Sequence, residues 1–409
     1  MAEHNRASAL GDIRVLDLST HVAGPYCTKL LAGFGADVIK VEPPTGDPAR
    51  RIAPFFHDVP ATEGSLLYLY LNTNKRSVTL DIAQVSGRDI LRELVTWADV
   101  VVESFRPGTL DALGIGYKDL AALKPGIVMV SVTPFGQTGP YSGYKGSEIV
   151  ESGLGGFMYT YGPYDRAPLM HGGHQVQYHC GANAATATMV ALFHQRAMGE
   201  GQHVDVSHIE TQAATNRDTT SLYGYMGAIR RRAPKEDPAT ADMGGIVPSR
   251  DGYFIGGEGG IPRSMQRGLD WEELVGFFGR EDLRQFAGEE ARQSRRKELL
   301  GIIREEYAKR SKYELVESAQ QRHYMFGPVE TPADVVHSPQ MAARGFFTTA
   351  EHPTTGPVQF PGRPFVMSET PWQLRRRAPL LGEHNAEVYG GMLGRSAEEL
   401  VLLREQRAI

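Results

Sequence analysis

A short apolar run at Arg14–Leu18 is followed by Gly24-Pro25, one helix length, and a second apolar run at Val38–Val41. Runs of this length, rich in branched side chains, read as buried strands. Pro25 suits the first turn of a helix, and Gly33-Phe34-Gly35 supplies the glycines that stop it. Strand, helix and strand in so short a span form a right-handed βαβ unit, so the two strands run parallel in one sheet. The alternation continues with a strand at Ser77–Asp81, a helix at Gly87–Trp97, and strands at Val100–Glu103 and Ile127–Val132. The expected fold class is therefore α/β, with a doubly wound, Rossmann-like parallel sheet. No G-x-G-x-x-G follows the first strand, which leaves a dinucleotide site without its usual sequence support.

The chain has 409 residues, enough for two domains, and its 41% hydrophobic and 22% charged content is that of an ordinary globular protein. Its net charge of −5 offers no overall basic field for nucleic acid, so no nucleic-acid partner is expected. Two cysteines, Cys27 and Cys180, make no disulfide framework. The N-terminus lacks the basic-then-apolar pattern of a secretory signal, and no stretch of about 18 apolar residues occurs. The expectation is a cytoplasmic protein with no membrane partner. Ala182–Arg196 is alanine-rich and helical, with Met189, Val190, Leu192 and Phe193 as core candidates. Composition shifts near Gly227, and the charged, proline-containing stretch Arg230–Pro238 reads as an exposed linker.

Several motifs recur in order along the chain. They are Val15–Pro25, Gly35–Glu42, Asn72–Asp81, Ala98–Gly108, Phe135–Pro140 and Pro379–His384. With the Gly-rich segment Arg166–Gly181 and the run Gly199–Ser207, they resemble the class III coenzyme A transferases, the family of formyl-CoA, carnitine-CoA and benzylsuccinate-CoA transferases. The resemblance covers nearly the whole chain. It implies a large Rossmann-like domain plus a smaller α/β domain, with two subunits interlocked as a dimer. The corresponding boundaries are 1–225 for the first part of the large domain with its linker, 226–329 for the small domain, and 330–409 for the return to the large domain.

Members of this family move CoA between carboxylic acids through a nucleophilic aspartate. Counting back without a gap from Gly199-Glu-Gly-Gln through Gly181, the aspartate's position falls on Gln177. A carboxylate can attack a thioester and later leave, whereas a neutral amide only donates and accepts hydrogen bonds. No catalytic residue is therefore assigned to this chain. The resemblance is best to the aspartate-less chain of a heteromeric succinyl-CoA:benzylsuccinate CoA-transferase. That implies a paralogous, aspartate-bearing partner subunit, and small carboxylic acids and their CoA thioesters as substrates. Glu148 and Glu151 are the candidate replacement carboxylates, more simply read as positioning or solvated residues. Alternatives are an acyl-CoA racemase-like enzyme and a CoA-binding scaffold.

The resemblance places CoA contacts on His21, Val22 and Ala23, on Asn72, Asn74 and Lys75, on Ser104, Phe105 and Arg106, and on Lys145. Lys75 and Arg106 could equally be solvated charges, and Arg76 could pair with Asp81 or another carboxylate. Pro43 and Ala112 stand where the family often has basic residues, so CoA could be bound by the partner subunit alone. Gly256, Gly257, Glu258, Gly259 and Gly260 match a mobile active-site loop, whose glycines permit large backbone changes. His171, His174 and His179 surround Gln177, but no metal-ligand spacing accompanies them, and no metal is expected. Cys180 reads as a small packed residue rather than a nucleophile.

Overall fold

The computed structural model describes residues 8–232, 246–256 and 271–409. The chain divides into two compact units. One comprises Met1–Gly162, Pro168–Arg231 and Ala343–Ile409, and the other Pro163–Ala167 and Arg232–Ala342.

The first unit is built on a six-stranded sheet of β1 (Arg14–Asp17), β2 (Asp37–Glu42), β3 (Lys75–Thr79), β4 (Val100–Glu103), β5 (Val128–Thr133) and β6 (His203–Ser207). Its order is β3-β2-β1-β4-β5-β6 and every pair is parallel. This is the doubly wound arrangement expected, with its switch point between β1 and β4. Two strands differ from the sequence expectation. β3 begins at Lys75 rather than Ser77, because Lys75 and Arg76 are buried in the strand where charged side chains read as loop. β6 alternates polar and apolar residues over only five positions and gave no strong strand signal.

Helix α1 (Ala23–Gly33) packs on one face of the sheet. A Cβ on Gly24 would lie 2.2 Å from that of Ser19, so the tight β1–α1 turn needs glycine. After α2 (Leu66–Leu71), the amphipathic helix α3 (Val85–Trp97) buries Ile90, Leu91, Leu94 and Val95 on the opposite face. Helix α4 (Tyr117–Leu123) covers that face too, through Leu120. Helix α5 (Glu148–Leu154) precedes the long helix α6 (Gln175–Met198), which lies along α1. Helix α7 (His208–Thr215) follows β6, capped by the Ser207 hydroxyl.

Helix α6 starts seven residues earlier than the alanine-rich run suggests, so it includes Gln177. Its buried face consists mainly of small side chains, Cys180, Gly181, Ala184, Ala185, Thr188 and Ala191, together with Val176 and Leu192. They permit close approach to α1: a Cβ on Gly181 would stand 2.5 Å from the Ala23 carbonyl. Of the expected core residues only Leu192 is buried. Met189 is 39% exposed, Val190 66% and Phe193 78%, because the face of α6 that meets the sheet is the small-residue face.

In the second unit β7 (Ile246–Ser249), β8 (Gly252–Ile255) and β9 (Gly327–Pro328) form an antiparallel sheet. Phe254, Phe277, Phe286, Tyr307 and Phe326 centre a separate core among its helices. This second unit is thus itself a mixed α/β structure.

Candidate active site

In an open parallel sheet the connections leaving the strand C-termini diverge at the switch point, and ligands bind in that crevice. Here the crevice lies between the loops after β1 and β4. The Thr20 backbone N–H donates to the Ser104 hydroxyl oxygen at 2.9 Å and ties the two loops together. His21, in the turn after β1, holds left-handed backbone (φ 64°), a conformation that persists in a non-glycine residue only where surrounding contacts enforce it.

A buried charge network lies beneath these loops. Asp17 accepts hydrogen bonds from the Thr28 hydroxyl at 2.6 Å and the Lys75 ammonium at 2.9 Å. Lys40 bridges to Asp47 at 2.7 Å and to the Ser19 carbonyl. Burial opposes ionisation of Asp17, but Lys40 and Lys75 outweigh it and hold its carboxyl well below the usual range. Next to it Arg50 pairs bidentately with Glu42 at 2.7 and 2.9 Å and also reaches Tyr68 and Glu63. The alternation in β2 places Lys40 and Glu42 on the sheet face that carries Asp17. Sequence reasoning missed this network. Its one available signal was the spacing of Asp17, Lys40 and Glu42 inside otherwise apolar strands.

The expected CoA contacts separate into two groups. Lys75 is fully buried, and its three N–H groups go to Asp17, the Pro25 carbonyl and the Asn72 side-chain oxygen, each at 2.9 Å. An ammonium has three donors, so none remains for a phosphate. Asn72 is buried against Tyr68, and the Asn74 side chain holds the backbone of Gln373, Arg375 and Arg376. Asn72 and Lys75 thus lie beneath the β1–α1 turn rather than on a free contact surface, whereas Asn74, which precedes β3, lies at the opposite end of the parallel sheet and does not join the expected contacts. Val22 and Ala23 are buried at the start of α1. In contrast His21, Arg106 and Lys145 are exposed, with Ser104 and Phe105 half-buried between them. Arg106 donates to the Gly143 carbonyl at 3.0 Å, which brings the Lys145 loop to the β4 turn. Arg76 pairs with Asp37 and Glu387 rather than Asp81.

Gln177 is half-buried in the first turn of α6. Glu148 caps that turn, accepting from the Val176 N–H at 2.7 Å and the Gln177 N–H at 3.4 Å. A carboxylate suits the positive end of a helix. Burial raises the Glu148 pKa against these hydrogen bonds. Both of its oxygens face backbone donors, which is a positioning arrangement. Glu151 is buried 3.1 Å from the His208 imidazole. Burial disfavours the His208 cation, yet Cys180 and Glu151 raise its pKa overall.

Tyr178, beside Gln177, meets Tyr26 edge to face at 4.9 Å and Tyr70 at 6.3 Å. His171 packs against Phe157 and Tyr161, and His179 is exposed. Among the described residues no three His, Cys, Asp or Glu side chains gather as a metal site requires. None of the helices among them is long and apolar enough to cross a membrane. Cys27 is buried with its thiol pushed up to about 12, and Cys180 is also fully buried. Arg232 is bound to the Pro163 and Arg166 carbonyls. Of the glycine loop, Gly256 packs against Phe254 and Phe326. Gly257, Glu258, Gly259 and Gly260 lie outside the described residues.

Comparison with known proteins agrees with this architecture. Residues 10–385 match the profile of CoA-transferase family III. The chain is 36% identical over 387 residues, 92% of each sequence, to succinyl-CoA:(R)-benzylsuccinate CoA-transferase subunit BbsE of Thauera aromatica. It is 33% identical to formyl-CoA:oxalate CoA-transferase of Streptomyces avermitilis, over 98% of this chain and 99% of that one. The crystal structure of a CAIB/BAIF family protein from Brucella suis superposes with a TM-score of 0.82 at 31% identity, covering 94% of this chain and 99% of the other. On the strength of the fold, the motifs and these matches, the chain belongs to CoA-transferase family III.

Proposed function

We propose that this chain is the non-catalytic subunit of a heteromeric CoA-transferase, with succinyl-CoA as donor and benzylsuccinate as acceptor. The observation that carries the reading is Gln177, in the first turn of α6 with its backbone capped by Glu148. An amide there forms neither an acyl anhydride nor a CoA thioester. Glu148 is committed to the helix N-terminus and Glu151 faces His208, so neither takes over as nucleophile. The similar Thauera aromatica protein is itself named as a subunit, which supports a paralogous partner that brings the aspartate. CoA would lie across the turns after β1 and β4, with Arg106 and Lys145 facing its phosphates and Asn72 and Lys75 beneath the β1–α1 turn.

The exposed apolar side chains of the first unit support an extensive protein interface, as an interlocked dimer requires. Val190 and Phe193 on α6 are 66% and 78% exposed, and Tyr225 is 90% exposed. Native mass spectrometry of this chain, alone and co-expressed with an aspartate-bearing paralogue, tests the reading. The expected result is a mixed oligomer, transferase activity only in that oligomer, and a hydroxylamine-sensitive thioester mapped to the paralogue. Full activity of the isolated chain, with a thioester on its own peptide, would overturn it.

A further inference from the structure

We propose that Glu103, Ser131 and His203 form a proton-linked side-chain relay that positions the Ser104–Phe105–Arg106 turn. The inference rests on the reading of that turn as a CoA-binding element, and none of the three residues need touch the ligand.

The geometry lies on one face of the sheet. Glu103 ends β4 and stands in register with Ser131 on β5. Paired positions on neighbouring strands are about 5 Å apart, so their side chains meet. Both are buried, at 3% and 1% exposure, and the Ser131 hydroxyl stabilises the Glu103 carboxylate. Ser131 Oγ lies 2.8 Å from Nε2 of His203 on β6. The His203 ring stacks on Tyr117 of α4 at 5.5 Å. At the other end Glu103 accepts the Phe105 backbone N–H at 2.6 Å. The turn is thus held by a carboxylate whose other partner is a hydroxyl that also contacts an imidazole.

A hydroxyl has one proton to donate, so the relay has two complete arrangements. With Glu103 ionised, Ser131 donates to the carboxylate and His203 donates from Nε2–H to Ser131 Oγ. With Glu103 protonated, the carboxyl O–H donates to Ser131 Oγ, Ser131 donates to a bare Nε2, and the imidazole proton sits on Nδ1. The two differ by one proton taken from solvent, and His203 is neutral in both. His203 is itself exposed to solvent, and the partial desolvation it meets beside Ser131 and Tyr117 lowers its pKa, consistent with a neutral ring. The other acidic groups near Glu103 are Asp111, on the short helix Thr109–Ala112 beyond the β4 turn, and Asp205 on β6. Both oppose its ionisation, and Asp205 is itself engaged with the Gln137 N–H at 2.9 Å. Burial, with these carboxylates, brings Glu103 to about 7. An ionised carboxylate holds a backbone N–H more strongly than a neutral carboxyl does, so protonation loosens Phe105. The Thr20 link to Ser104 carries that change to the β1 loop.

The test uses the full chain with 15N-labelled histidine, His203 being identified from the His203→Gln spectrum. As pH falls through about 7, the wild-type Nε2 signal is expected to move from the protonated to the bare shift without the ring charging. Glu103→Gln, whose amide imitates the protonated carboxyl, is expected to show bare Nε2 at every pH. Ser131→Ala, which keeps Glu103 but cuts the relay, is expected to abolish the titration. A His203 tautomer that is constant with pH in the wild type, or that titrates unchanged in Glu103→Gln, would overturn the proposal. Calorimetry with CoA adds the second arm: binding is expected to weaken by about threefold to tenfold from pH 8 to pH 6, and Glu103→Gln to lose that dependence. Equal pH dependence in both proteins would refute the link to the turn. A His203 switch without CoA binding at any pH supports the relay and removes the ligand reading beneath it.

Discussion

Among the described residues Lys29 is a buried cation without a carboxylate partner, and replacing it with methionine is expected to stabilise the protein at neutral pH. Its ammonium donates to the Thr73 hydroxyl at 2.8 Å and lies 4.4 Å from the centre of the Tyr70 ring, at 3% exposure. Burial, with repulsion from Lys75, brings its pKa from 10.5 down to about 7. Between those values the unfolded chain binds the extra proton, so stability rises with pH across that window and levels off below it. Integrating the difference gives a penalty of about 4 kcal/mol at pH 7 and about 2 kcal/mol at pH 9. Methionine keeps the length and apolar character of the stem. It forfeits the amine's hydrogen bond to Thr73, about 1 kcal/mol, the cation–π contact being already contained in the folded-state pKa. The net expectation for Lys29→Met is about 3 kcal/mol of added stability at pH 7, shrinking to about 1 kcal/mol at pH 9. Urea unfolding followed by tryptophan fluorescence at both pH values measures this. Destabilisation at pH 7, or a gain that does not change between the two, would refute the reasoning.

Glu42→Ala should do the opposite, because it leaves the Arg50 guanidinium buried with its bidentate partner gone. A loss of about 3–5 kcal/mol is expected in the same unfolding assay, and a loss below about 1 kcal/mol would show that Tyr68 and Glu63 suffice. Gln177→Asp restores a carboxylate in the first turn of α6, a favourable place for one. Incubated with succinyl-CoA and hydroxylamine, the variant chain should yield a trapped adduct on residue 177 at about tenfold or more above wild type. No adduct would mean that more than the side chain is missing.

The local part of the fold was readable because each strand and helix announces itself through the periodicity of its own residues. The readable strands predict the sheet's parallel character through the short βαβ spacing. What failed is instructive. Lys75 and Arg76 look like loop, and they lie in a buried strand because Asp17, Asp37 and Glu387, far away in sequence, meet them. Val190 and Phe193 look like core, yet the smaller residues of the same helix take the inside position. At the candidate site, the motif positions named loops but not which of their side chains are free. Nothing near Lys75 in sequence says that its three donors are already engaged.

The sequence by itself determined the α/β class, the family and the position of the amide at Gln177, since these depend on local periodicity and on residue identity at fixed spacing. The tertiary structure alone decided the rest: the β3-β2-β1-β4-β5-β6 order, the Asp17–Lys40–Lys75 network beneath the β1–α1 turn, and the Glu103–Ser131–His203 alignment. The physical reason is that a side chain's charge state and spare hydrogen bonds are set by neighbours in space, and those neighbours come from strands separated by long stretches of chain.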